Sequence, residues 1–200
     1  MNDITFFEGQ QMMKGGSRKC EMEALERTHF NCAWNNLYSF KSRIVPFVDK
    51  VFENFHSYLK SLVCDVCLRN GITPFENEIL NQHPCEERWR NEIKRFCHEN
   101  FEINWSVQNP STWIEDYWSV ARCYVNVSHG NKSSAKFCDP STVLALIINC
   151  TRFADPKLAG IRSNAFKIRA SRNYIAHLSD NLLPYEKLQE FKEIQQSIPN

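Results

Sequence analysis

Between residues 34 and 63 the apolar side chains return at three- and four-residue steps, through Leu37, Phe40, Ile44, Val48, Val51, Phe52, Phe55 and Leu59. That period gathers them on one stripe of a helix. A helix with so strong an apolar stripe must be covered by other elements of the chain. Pro46 interrupts the pattern and is expected to kink or divide the helix. No alternating run long enough for a useful strand occurs anywhere, so the expected fold is an all-α helical bundle with additional N-terminal helices.

Further helices follow from the same reasoning. Residues 79–101 hold one that starts near Pro84, and residues 112–125 hold a third carrying Trp113, Trp118 and Val120. Asp139-Pro140-Ser141-Thr142 has the signature of a helix start, an N-cap residue followed by proline at the first helical position. The segment after it, residues 143–153, is nearly all apolar and should be central, ending at Asp155-Pro156. Helices are then expected over residues 161–178 and 184–194. Residues 104–110 and 128–134 read as connections.

With 42% hydrophobic residues in 200, the chain can bury one real core. Residues 1–22 carry Gly15-Gly16-Ser17 and few apolar positions, so they read as a loose N-terminal arm. Residues 23–100 form an N-terminal helical part and residues 101–200 the main helical core, with 22–200 as one compact unit. A formal charge of +1 and a pI of about 7.6 require any nucleic-acid surface to be local. One such region exists: Arg152, Lys157, Arg162, Lys167, Arg169 and Arg172 stand against the single acid Asp155. A basic run of this kind is either an RNA-binding surface, with Arg162, Lys167 and Arg169 as its contacts, or a solvated helix face.

Nine cysteines, an odd number scattered through a helical chain, suit reduced thiols in cytoplasm or nucleus. No secretory leader and no membrane span is legible, so no membrane is expected. Cys64-Asp65-Val66-Cys67 followed by His83 and Cys85 offers four soft ligands for a structural zinc, or else ordinary buried and loop thiols. The aromatic residues Trp89, Trp105, Trp113, Tyr117 and Trp118 either pack in the core or stack on bases; helical spacing favours the core.

Arg172-Asn173-Tyr174-Ile175-Ala176-His177 holds a phosphate-binding cation shortly before an imidazole. Chance supplies about one pair at a spacing of four to six residues in a chain of this composition, and Arg122, seven residues before His129, is a looser second. Position singles out the first. Ile161, Ala165, Ile168 and Ile175 form an apolar stripe, and Arg172 falls inside it. A cation there needs a partner, a bound anion, or a route to the surface. Five residues separate Arg172 from His177, roughly 140° of helix, whereas Asn173 and His177 share a face. A joint site therefore requires a second chain or a loosened helix end near residues 178–181.

With the capped apolar helix at Asp139 and Ser141, this motif resembles the second half of a HEPN domain, named for higher eukaryotes and prokaryotes nucleotide-binding. The branch it resembles is the one found in the DAZ-interacting zinc-finger ubiquitin ligase. A closer likeness is to an animal family known as an uncharacterised X-linked open reading frame. It is carried by Phe30-Asn31-Cys32-Ala33, Trp89-Arg90-Asn91-Glu92-Ile93, Trp105, the stretch from Trp113 to Ala121, that from Leu144 to Cys150, and Arg172-Asn173 through His177.

The HEPN resemblance implies a helical bundle, often a homodimer, with metal-independent endoribonuclease activity in many members and interaction or RNA-binding roles in others. By position, Arg172 would hold the scissile phosphate, His177 would act as general acid or base, and Asn173 would orient one of them. No catalytic cofactor is implied. RNA and protein partners are both compatible with the resemblance.

Overall fold

The computed structural model describes residues 4–63, 84–126, 133–155 and 158–196, leaving aside the side chains of residues 4–17, Pro84 and Ala159. Among the described residues the chain is all-α, as its periodicity predicts. Among those residues six α-helices, joined by short 3₁₀ turns, surround one core, and the only β-type pairing described is an isolated antiparallel bridge between Cys97 and Cys150.

The first helix, α1 (Ile4–Lys60), runs on through Pro46. Pro46 occupies an exposed position, where a carbonyl deprived of its helical donor can be hydrated. The helical backbone also includes most of residues 1–22, where a loose arm was expected; the Gly15-Gly16 pair weakens a helix but removes no hydrogen bond. Side chains from Arg18 to Thr28 are mostly exposed. Burial begins at His29 and Ala33 and then follows the anticipated stripe, with Leu37, Phe40, Val48, Phe52, Phe55 and Leu59 all at 1% exposure or less.

α2 (Pro84–Arg95) opens on proline and places Glu86 and Glu87 in its first turn and Lys94 and Arg95 in its last, complementing the helix dipole at both ends. The long third helix expected from the sequence is broken. Asp116 adopts an extended conformation and its carboxylate accepts from the Trp118 and Ser119 amides, so α3 (Tyr117–Ala121) starts afresh there and passes into a 3₁₀ turn. Tyr117, half-buried, stands beside Asp49 on α1; burial and that carboxylate push its pKa up to about 12.

α4 (Pro140–Asn149) is capped as its sequence signature predicts. The Asp139 carboxylate accepts from Ser141 N–H at 2.7 Å and Thr142 N–H at 3.0 Å. The helix stops before the expected residue 153, because Cys150 turns extended and Thr151 N–H donates to the Phe96 carbonyl at 2.7 Å, while His98 N–H donates to the Asn149 carbonyl at 2.8 Å. These bonds tie the end of α4 to the end of α2. α5 (Ala159–Ala176) packs against α4, and α6 (Tyr185–Gln196) packs against α1 and α5. The α5–α6 connection is pinned to α1, where Leu183 N–H donates to the Glu26 carbonyl and the His29 ring bonds the Leu183 carbonyl.

Aromatic residues fill the centre. Phe52 meets Tyr124 and Phe153 at ring separations of 5.8 Å each, and Trp89 lies parallel to Trp113. Trp89, Trp113 and Trp118 are fully enclosed, so they serve packing and not base stacking. Trp105 is half-buried, with the Arg90 guanidinium 5.0 Å above its ring and Arg90 paired to Glu86 at 2.7 Å.

Two outcomes test this core. Phe52→Ala should cost about 3–5 kcal/mol of unfolding free energy by denaturant titration, through lost burial and the cavity left behind. His56, buried against Trp89, donates from Nε2 to the Trp113 carbonyl at 2.7 Å, and burial lowers its pKa below the usual 6.5, with Lys60 adding to the shift and Asp116 opposing it. As pH falls through that usual value the unfolded imidazole takes its proton before the folded one. Stability should therefore fall on acidification below about 6.5 and flatten in His56→Gln, as measured by thermal melting across pH.

Candidate functional site

An open cleft of about 510 Å³ lies between α4 and α5. Ser141, Leu144, Ala145 and Asn149 form its α4 wall; Arg169, Arg172 and Asn173 form its α5 wall. Asn100, Phe101 and Glu102, just after the bridge at Cys97, close one side, and Asn126 completes it. Ser141, Ala145 and Asn149 share a face because they recur every four residues; Arg169, Arg172 and Asn173 do so at three and four.

The lining is polar and locally cationic. Two guanidinium groups stand one turn apart, with Glu102 as the single acid among the lining residues. Arg172 is the notable member. It lies within the stripe whose Ala165, Ile168 and Ile175 are buried, and its Nε is buried with no hydrogen-bond partner among the described residues. Its Nη1 donates to Asn173 Oδ1 at 3.3 Å, and no carboxylate pairs with it among the described residues. An arginine at a polar cleft with no carboxylate bonded to it can receive an anion, and its planar fork matches the geometry of a phosphate.

His177 is placed differently. α5 ends at Ala176, and His177 is its C-cap, with backbone N–H donating to the Asn173 and Tyr174 carbonyls at 3.2 Å. The side chain is exposed and does not line the cleft. The helix does loosen at its end, as a shared site would require, and Asn181 takes a left-handed turn at φ 58° shortly after. Within one chain, however, Arg172 and Asn173 line the cleft together and His177 stands apart from it.

The other basic candidates diverge. Arg162 donates from Nη2 to the Ile148 carbonyl at 3.1 Å and lies over the Phe166 ring, which makes it a clamp between α5 and α4. Lys167 lines a separate, largely apolar groove between α5 and α6 with Tyr174, Leu183 and Phe191. Arg169 alone of the three joins the cleft. For the expected zinc site, Cys64, Cys67 and His83 lie outside the described residues, while Cys85 is buried in the first turn of α2. Among the described residues no group of three or more His, Cys, Asp or Glu side chains is arranged to hold a metal.

Sequence reasoning missed Asn100, Glu102, Asn126 and Asn149, which come from three separate stretches and share no spacing. Ser141 was legible as part of the Asp139 cap.

These features define a small helical bundle with an arginine-bearing polar cleft, and no described helix is long and apolar enough to cross a membrane. The chain belongs to the family described as "Domain of unknown function (DUF4559)", which matches residues 32–198. It is similar to the mouse (Mus musculus) "Uncharacterized protein CXorf38 homolog", 24% identical over 163 residues, covering 78% of this chain and 49% of that protein. The chain thus spans about half the length of the curated relative it matches. No solved structure matches it.

A pair of substitutions separates an anion-binding arginine from a structural one. Arg172→Met should leave stability within about 0.5 kcal/mol or raise it, since no protein ion pair is lost and an apolar stripe is completed. Arg162→Met, which loses its bond to Ile148, should lower stability by about 1 kcal/mol in the same denaturant titration.

Proposed function

We propose that the protein is a HEPN-like RNA-binding protein whose cleft grips a phosphodiester through Arg169, Arg172 and Asn173, and that it cleaves RNA without a metal when two copies bring His177 to that cleft. The observation that carries this reading is the partner-free guanidinium Nε of Arg172 at a polar cleft. The chemistry needs little else. RNA carries its own nucleophile in the 2′-hydroxyl, so a site has only to orient the phosphate, stabilise its developing charge and move protons. Arg172 supplies the charge, Asn173 the orientation, and a histidine the proton transfer, giving 2′,3′-cyclic phosphate and 5′-hydroxyl ends. The homodimer is part of the proposal because His177 lies outside its own chain's cleft.

A second reading has its own support. The exposed His177 and the apolar groove between α5 and α6 suit a non-catalytic module for protein interaction or dimerisation.

Mixed single-stranded RNA in EDTA distinguishes them. Wild-type protein should bind in a salt-dependent manner and release cyclic-phosphate ends at a rate that grows with dimer fraction. Arg172→Ala should lose both binding and cleavage; His177→Ala should lose cleavage by at least about 100-fold while still binding. Absence of RNA affinity sinks the proposal, and binding without cleavage leaves the catalytic half refuted.

A further inference from the structure

The bridge between the ends of α2 and α4 sets two cysteines face to face. Its two hydrogen bonds, His98 N–H to the Asn149 carbonyl and Thr151 N–H to the Phe96 carbonyl, flank Cys97 and Cys150 and do not join them. Opposed residues in such a non-hydrogen-bonded antiparallel pair have Cα atoms about 4.5 Å apart and side chains on one face. Disulfides span Cα separations of roughly 4.4–6.8 Å, so this pairing presents both thiols within bonding reach. Both are free.

We propose that Cys97 and Cys150 are a thiol pair that a hydroperoxide converts to a reversible disulfide, and that closing it resets one wall of the α4–α5 cleft. Exposure assigns the roles. Cys97 is partly exposed and meets the oxidant; Cys150 is fully enclosed and resolves the product. The Cys97 thiolate attacks the peroxide oxygen, forming an S–O bond as the O–O bond breaks, and the departing alkoxide takes a proton to become an alcohol. The Cys150 thiolate then attacks the Cys97 sulfur, forming the S–S bond and expelling hydroxide, which leaves as water. Two thiols lose two electrons and one hydroperoxide gains them.

The other described cysteines lack this arrangement. Cys123 is buried and turns its sulfur toward Gln108 and the Ser119 carbonyl, and no backbone bridge opposes it to Cys97. Cys20 and Cys32 are exposed on α1. Burial raises the pKa of both proposed partners, Cys150 to about 12 with Tyr124, Arg152 and Cys97 around it, so the reaction is slower than that of an ordinary surface thiol.

The link to the cleft is one hydrogen bond. The Cys97 thiol donates to the Phe101 carbonyl at 3.1 Å, closing the loop whose Asn100, Phe101 and Glu102 form a cleft wall. Disulfide formation removes that proton and frees the carbonyl. At the same time it fixes Cys97 covalently beside Asn149 on the facing wall.

The test uses the full chain treated with tert-butyl hydroperoxide, alkylated, and digested without reductant for mass spectrometry. A Cys97–Cys150 linked peptide that disappears with dithiothreitol is expected. Oxidation should also raise the melting temperature reversibly and change hydrogen exchange in the peptide spanning residues 98–103. In Cys150→Ser, Cys97 should be trapped by dimedone as a sulfenic acid; should that variant fail to fold, the wild-type peptide map decides alone. Alkylation of both Cys97 and Cys150 once Cys20 and Cys32 are oxidised, or a Cys97–Cys123 link, overturns the pairing. Unchanged exchange at residues 98–103 in the linked protein overturns the effect on the cleft.

Discussion

Every other layer of this molecule depends on burial of the apolar stripe of α1. α3, α4 and α6 all lie against it, and the rings of Phe52 and Phe55 reach from it to Tyr124, Phe153 and Phe96. The stripe is apolar on one side only, so its helix must be covered, and the covering helices take their positions from it. Specific polar contacts then fix the register. Tyr117 on Asp49, His56 on the Trp113 carbonyl, and Glu26 with His29 on Leu183 each join a distant segment to α1.

The cleft is a by-product of that arrangement with a chemistry of its own. α4 and α5 pack closely, yet α5 presents Arg169 and Arg172 at the margin of the contact, where an apolar pair would bury more surface. A partly buried guanidinium without a carboxylate lowers stability relative to an apolar residue. Retaining it is intelligible if an anion binds there, which is the basis of the proposed RNA contact. Meanwhile the C-cap geometry sends His177 into solvent. In the proposed chemistry the two meet through a second copy.

The bridge at Cys97 and Cys150 occupies a corresponding position on the opposite wall. It ends two helices, supplies the loop that carries Asn100 to Glu102, and sets the placement of Asn149. One short pairing thus joins two parts of the lining of a cleft made from α4, α5 and that loop.

Much of this was legible locally. The period of α1 from residue 34 onward, the Asp139 cap, the extent of α5 and α6, the all-α class and the anomaly of Arg172 in an apolar stripe all follow from spacing and cap chemistry, which act within a turn or two of helix. Family membership likewise resides in the sequence. What only the tertiary structure decided is which distant residues meet. It separated Arg162 and Lys167 from Arg169, brought Asn100, Glu102 and Asn126 to Arg172, broke the third helix at Asp116, stopped α4 at Asn149, and set Cys97 opposite Cys150. The reason is physical: periodicity and caps report the energy of a chain with its near neighbours. The cleft walls and the cysteine pair, by contrast, depend on how helices far apart in sequence share one core.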